Sequence, residues 1–188
     1  MKKLFFTLCT LLISTNIFAQ TDSVYFEWQP DGTMLTKEEA DFLIIDYKEK
    51  TKEELFKDLL LSSSSIFNSP KDTISPIENQ LISINAIQPV IWKVGGLLGA
   101  IEVNIHYVLK IHIKDEKIKI DAPYFTLLSF STGGTQDKIE SWTKAQKFFN
   151  SDGTPSNKKG RAEFYQDINN SFNNLIDQLL NHKAQEDW

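Results

Sequence analysis

IEVNIHYVLKIHIKDEKIKIDAPYFTLLSF, residues 101–130, is the stretch that decides the fold. From Ile101 the odd positions Val103, Ile105, Tyr107, Leu109, Ile111 and Ile113 are all apolar. Between them stand Glu102, Asn104, His106, Val108, Lys110, His112 and Lys114. Successive side chains leave a strand on opposite sides, so alternation of this length predicts a strand with one buried and one wetter face. After Asp115-Glu116 the alternation resumes with Ile118, Ile120, Ala122, Tyr124, Thr126, Leu128 and Phe130. A two-residue loop that sets Lys114 opposite Lys117 then fixes the later pairs. Ile113 meets Ile118, Ile111 meets Ile120, Tyr107 meets Tyr124 and Ile101 meets Phe130. All lie on one face, and a slip of one residue would turn that face to water. The stretch predicts one long antiparallel hairpin.

On the opposite face the same register pairs Lys110 with Asp121, His112 with Lys119, Val108 with Pro123, His106 with Phe125 and Asn104 with Leu127. This face is charged near the turn and partly apolar at the base. Pro123 has no N–H to give a ladder, so a sheet edge or bulge is expected there. His106, Val108, Phe125 and Leu127, with Trp92 near the rim, are the candidate ligand- or partner-binding residues. An apolar centre with a few polar groups is what such a surface requires. The alternative is that residues 133–156 or the N-terminal arm fold over it.

Working outward, Phe42 to Tyr47 reads as a compact strand. Thr51 and Glu54 form a capping box for a helix carrying Leu55, Phe56, Leu59, Leu60, Ile66 and Phe67. Pro70 lies past its end. Two short strands are expected around Ile74 and from Leu81 to Ile87, with a turn at Glu78-Asn79. Pro89 and the glycines 95, 96 and 99 then break the chain before the hairpin. Gly133-Gly134 ends the sheet. A helix is expected within Gln136 to Phe149, with Ile139, Trp142 and Phe149 inward. Ser151 to Gly160 is a polar loop. Phe164, Ile168, Phe172, Leu175, Ile176 and Leu179 mark an amphipathic helix over about 161–182.

The first 19 residues read as a secretory signal peptide. Lys2-Lys3 precede the apolar run Leu4 to Ile13, and Ile17-Phe18-Ala19 offers a cleavage site before Gln20. The run is too short to serve as a mature membrane anchor. Residues 20–40 form an N-terminal arm, and 41–188 a single α+β domain. The expected location is periplasmic or secreted. Cleavage would remove Cys9, the only cysteine of the 188 residues, and with it any disulfide or thiol chemistry. The formal charge is -5, and loss of two lysines makes the mature chain more acidic still. An acidic surface argues against nucleic acid or anionic lipid as a partner.

Asp46-Tyr47, the cap and Leu55-Phe56, Ile66-Phe67-Asn68-Ser69-Pro70-Lys71, and the strand into Ile113-Lys114-Asp115-Glu116-Lys117 with Ile118-Lys119-Ile120 carry a resemblance. Over about residues 40–132 the chain resembles a secreted bacterial domain of unknown function with a TATA-binding-protein-like (TBP-like) fold. Glu116 departs from it, because the family often has glycine at that turn. The resemblance implies a curved antiparallel sheet of about five strands with two main helices on one face, in the order β-α-β-β-β-β-α. It does not imply DNA binding, since a fold does not fix a function.

No catalytic residue and no metal site is assigned. His106 and His112 share a strand face but lie roughly 20 Å apart at about 3.3 Å per residue. His182 sits near the end of the last helix. No cofactor is expected. Gly95-Gly96-Leu97-Leu98-Gly99 lacks the Lys-Ser/Thr and the following helix that a phosphate loop needs. Three readings remain. The first is a non-catalytic binding module whose outer sheet face meets a protein segment or a small apolar ligand. The second is a cell-envelope hydrolase using histidine and carboxylate. The third is a structural or assembly protein that pairs through a sheet edge.

Overall fold

A computed structural model describes residues 24–94, 99–130 and 136–181. The expected signal peptide, Cys9, most of the glycine segment before the hairpin, the Gly133-Gly134 sheet end and His182 lie outside the described residues. The elements in chain order are β1 (Glu27–Trp28), β2 (Met34–Leu35), β3 (Phe42–Asp46), α1 (Lys52–Ile66), α2 (Pro70–Thr73), β4 (Ile74–Ile77), β5 (Leu81–Lys93), β6 (Ala100–Lys114), β7 (Lys117–Asp121), β8 (Tyr124–Phe130), β9 (Gln136–Asp137), α3 (Ile139–Gln146) and α4 (Lys159–Asn181). The main sheet runs β3-β7-β6-β5-β4. β8 continues beyond β7 on the same side of β6 and carries β9. All pairings are antiparallel. The fold is α+β with a curved antiparallel sheet, as the resemblance implied, but the sheet has seven strands rather than about five, because β8 and the short β9 extend it beyond the expected set.

β6 is the centre. Val103, Ile105, Tyr107, Leu109, Ile111 and Ile113 are all buried, and the residues between them are not. Helices α1 and α4 cover this inner face. Phe172 of α4 meets the Tyr107 ring edge-on at 5.0 Å. The loop before β7 forms as predicted, with Lys114 opposite Lys117, Ile113 opposite Ile118 and Ile111 opposite Ile120. Glu116 takes the left-handed backbone at φ 62° where glycine would sit without strain. The tip is tied down from outside. Glu116 accepts from the Tyr47 amide and donates its own amide to Lys50, while Asp115 Oδ1 accepts from the Lys52 amide. The Thr51–Glu54 capping box is present at the start of α1.

Three expectations are corrected. The second arm of the hairpin breaks at Ala122-Pro123, and the register shifts there by one residue. Tyr124 therefore faces Val108, and Phe125 rather than Tyr124 faces Tyr107. A second irregularity between His106 and Tyr107 leaves Thr126 unopposed, so Leu127 meets His106 and Phe130 meets Val103. Proline's missing donor and the bulge together explain both steps. Next, Pro89 does not end a strand. β5 runs through it in unbroken register with β6. β4 pairs only with Leu81 to Ile84, so from Asn85 onward the far side of β5 carries no strand among the described residues. Proline is tolerated on such an open side. Finally, in the segment after the sheet, Phe148 rather than Phe149 is fully buried, because Lys147 turns the chain at φ 54° after α3.

The N-terminal arm is stitched into the core. Phe26, Trp28 and Met34 are buried. Its backbone finds few strand partners, and α4 supplies them instead. Asn173 Oδ1 accepts from the amides of Tyr25 (2.8 Å) and Phe26 (2.9 Å), and its Nδ2 donates to Phe26 O and Asn169 O (2.8 Å each). Asn169 Oδ1 accepts from the Trp28 amide at 2.8 Å. Asn173 is only 8 % exposed, so losing its amide would strand buried backbone groups at about 1–3 kcal/mol each. Asn173→Leu should lower unfolding free energy by about 3 kcal/mol, measured by urea titration. A loss under about 1 kcal/mol would show that the arm is not held this way.

Candidate functional site

The face of the sheet away from the helices can be read across the strands from the register. Near the hairpin tip, Ile77, Leu81, His112, Lys119 and Ile44 form one row from β4 to β3. Nearer the base, Val108 lies between Asn85 and Tyr124, His106 between Ile87 and Leu127, and Asn104 between Pro89 and Ser129. Glu102 faces Ile91. Both ends mix apolar and polar side chains: His112 and Lys119 stand between Leu81 and Ile44 at the tip, and His106, Asn104 and Glu102 stand among Ile87, Leu127 and Ile91 at the base.

Of the residues predicted for this surface, His106, Val108 and Leu127 share it. Phe125 and Trp92 do not. The register shift at Pro123 turns Phe125 inward, where its ring lies 4.9 Å from Phe172. Trp92 follows Ile82, Ile84 and Val90 on the inner side of β5. It packs on Trp142 (5.3 Å) and Phe148 (5.4 Å). In their place the structure exposes Tyr124 (69 %), Ile44 (57 %), Ile77 and Ile87 (53 % each) and Ile91 (46 %). Ile91 was missed because Pro89 seemed to end the strand before it, and Ile87, the last residue of the expected strand, was missed because the surface was read from the 101–130 hairpin alone. Tyr124 was missed because the hairpin register placed it inside.

The expected cover is absent among the described residues. Tyr25 to Trp28 of the arm pack on α4, and α3 with Phe148 packs on Trp92 and Phe164, on the inner side, while Thr36 to Glu38 lie beside Ile44 at the β3 edge. Ile44 and Ile77 stand at the two edges of the tip row, and Tyr124, Ile87 and Ile91 lie nearer the base, so the exposed apolar side chains are spread over the face.

The polar groups of the face fall into two separate sets. His112 Nε2 donates to Asp121 Oδ2 at 2.8 Å, and Lys119 Nζ lies 2.8 Å from Asp121 Oδ1. Lys119 also sits 4.9 Å from the Phe42 ring centroid, a cation–π contact. His106 Nε2 and Ser129 Oγ share a hydrogen bond of 3.1 Å. So among the described residues His112 bonds an acid and not a hydroxyl, and His106 bonds a hydroxyl and not an acid. Acyl-transfer chemistry needs hydroxyl, base and acid in one chain of contacts, and this sheet keeps them about six residues apart along β6. Among the described residues no three His, Cys, Asp or Glu side chains gather as a metal site. No described helix is long and apolar enough to cross a membrane.

Burial raises the Asp121 carboxyl, but hydrogen bonds from Lys119 and His112 outweigh it and hold the group below its ordinary value. A lowered carboxylate stabilises the fold above the unfolded-state pKa, and the gain is lost as pH falls through the folded value. The pair is solvent-exposed, so the gain is below about 1 kcal/mol. Asp121→Asn should therefore lower the urea midpoint slightly at pH 7, with the difference from wild type vanishing in acid. An equal difference at pH 3 and pH 7 would rule out the ionic contribution.

Fold and surface together define an α+β domain of TBP-like architecture whose outer sheet face carries no helix among the described residues. The chain is similar to the crystal structure of a DUF4468 family protein from Bacteroides ovatus. The TM-score is 0.58 at 10 % identity, over 84 % of this chain and 91 % of that one. It is also similar to a TBP-like protein from Parabacteroides distasonis, with a TM-score of 0.50 at 12 % identity over 76 % of this chain and 92 % of that one. At such identities the likeness concerns the fold. No protein-family model and no curated protein matches the sequence.

Proposed function

We propose that this chain is an exported, non-catalytic binding module whose bare sheet face takes an extended segment of another protein along the open side of β5. The observation that carries the reading is the pairing of two features at one place. From Asn85 to Lys93, β5 has β6 on one side and no described strand on the other. On the same stretch Ile87 and Ile91 stand out into solvent on the outer face. An unpaired strand edge offers backbone donors and acceptors, and alternate exposed side chains beside it offer selectivity. A small apolar ligand needs an enclosing pocket, and none of the described pockets is lined by Ile87, Ile91 and Tyr124 together. Pro89 divides the edge, so the partner's backbone would engage on either side of it. Export rests on the lysine-led apolar run and the Ala19–Gln20 junction of the sequence.

Synthetic seven-residue peptides alternating Val and Thr provide the test. They should bind the mature chain, and N-methylation of the amides on one edge should abolish binding while methylation of the other edge should not. Ile87→Asp with Ile91→Asp should remove binding and leave the melting temperature unchanged, whereas Phe125→Asp should unfold the domain. Equal binding by both methylated peptides, or by the double variant, would overturn the reading. A solution mass of two chains without peptide would show instead that the edge serves a second copy.

A further inference from the structure

Away from the sheet face, the start of α4 and the end of α3 flank an open cavity of about 500 Å³. Its wall carries four basic side chains, Lys144, Lys147, Lys158 and Arg161, and no acidic one. The whole chain bears a formal charge of -5, so this concentration of cations runs against the composition. Lys144 is engaged by Glu140 at 2.7 Å, and Asp31 adds negative charge on that side. Lys147, Lys158 and Arg161 have no ion pair among the described residues. Cations gathered around one concavity raise the local concentration of anions and repel one another when none is present.

Two further observations fall at the same place. Thr143 lines the cavity, is 2 % exposed, and its hydroxyl has no hydrogen-bond partner. Buried polar groups without partners are few in folded proteins and call for a water, an ion or a ligand. The cavity also has an apolar wall in Phe149, whose ring backs onto Trp28 at 5.3 Å. Lys158 and Arg161 bracket the first turn of a helix that runs from Lys159 to Asn181, and the positive end of the helix dipole adds to their field. Arginine's planar fork suits the paired oxygens of a phosphate or sulfate.

We infer that this cavity is a binding site for a small organic anion, a phosphate or sulfate monoester carried on an apolar or aromatic body. The ester oxygens lie among Lys147, Lys158 and Arg161, and the apolar body lies against Phe149. The site is independent of the sheet face, because none of the cavity residues belongs to it.

Calorimetric titration of the mature chain with phenyl phosphate, inorganic phosphate and phenol tests the inference. Phenyl phosphate should bind at least fivefold more tightly than inorganic phosphate, and phenol should give no heat. Lys158→Gln with Arg161→Gln should weaken phenyl phosphate at least tenfold without lowering the melting temperature. Absence of binding, equal binding of phosphate and its phenyl ester, or indifference to the double variant would overturn the assignment. Sedimentation with phosphatidylglycerol vesicles, in preference to binding the free ester, would overturn it in favour of a membrane headgroup.

Discussion

Burial of one side of β6 under α4 is the constraint from which the rest of the molecule follows. Six alternate side chains, Val103 to Ile113, are removed from water. Each apolar side chain of this size contributes about 1.5–3 kcal/mol on burial, so no register that exposes them competes. Once β6 is fixed, β5 and β7 are placed by matching rows, Ile82 and Ile84 on one side and Ile118 and Ile120 on the other. The helices then have one side to occupy. The other side is left bare because nothing in the described chain remains to cover it.

The hairpin shows how far alternation alone can be trusted. It places the loop and the first pairs correctly because Ile113, Ile111, Ile118 and Ile120 must all be dry. It fails at Pro123, where a residue without a donor interrupts the ladder and the next strand restarts one step out. The bulge at Thr126 restores the original sides for Leu128 and Phe130, while Tyr124 and Phe125 have exchanged theirs. The proline flagged the irregularity. Its size and direction depended on which aromatic ring fitted against Phe172, a contact 47 residues distant in sequence that no local pattern encodes.

Other parts were legible for different reasons. The capping box and the α4 stripe are local, and both formed. Asn169 and Asn173 read as ordinary polar residues of an amphipathic helix, because a side-chain amide gives no hint that it will receive a distant backbone. The basic cavity was equally hidden. Lys144, Lys147, Lys158 and Arg161 are spread over 18 positions, and a loop crossing between two helices brings them together. Composition pointed the opposite way, since overall acidity obscures a local excess of cations.

The asparagine clasp on the arm has a consequence for the order in which the molecule can be made. The backbone of Tyr25 and Phe26 is completed by a residue 147 or 148 positions later. A chain synthesised from its first residue must therefore hold Phe26 and Trp28 without a dock until the final helix exists. Such distant closure slows folding relative to local pairing. The arm is therefore the part of the molecule whose backbone is satisfied last, after every strand of the main sheet has been made.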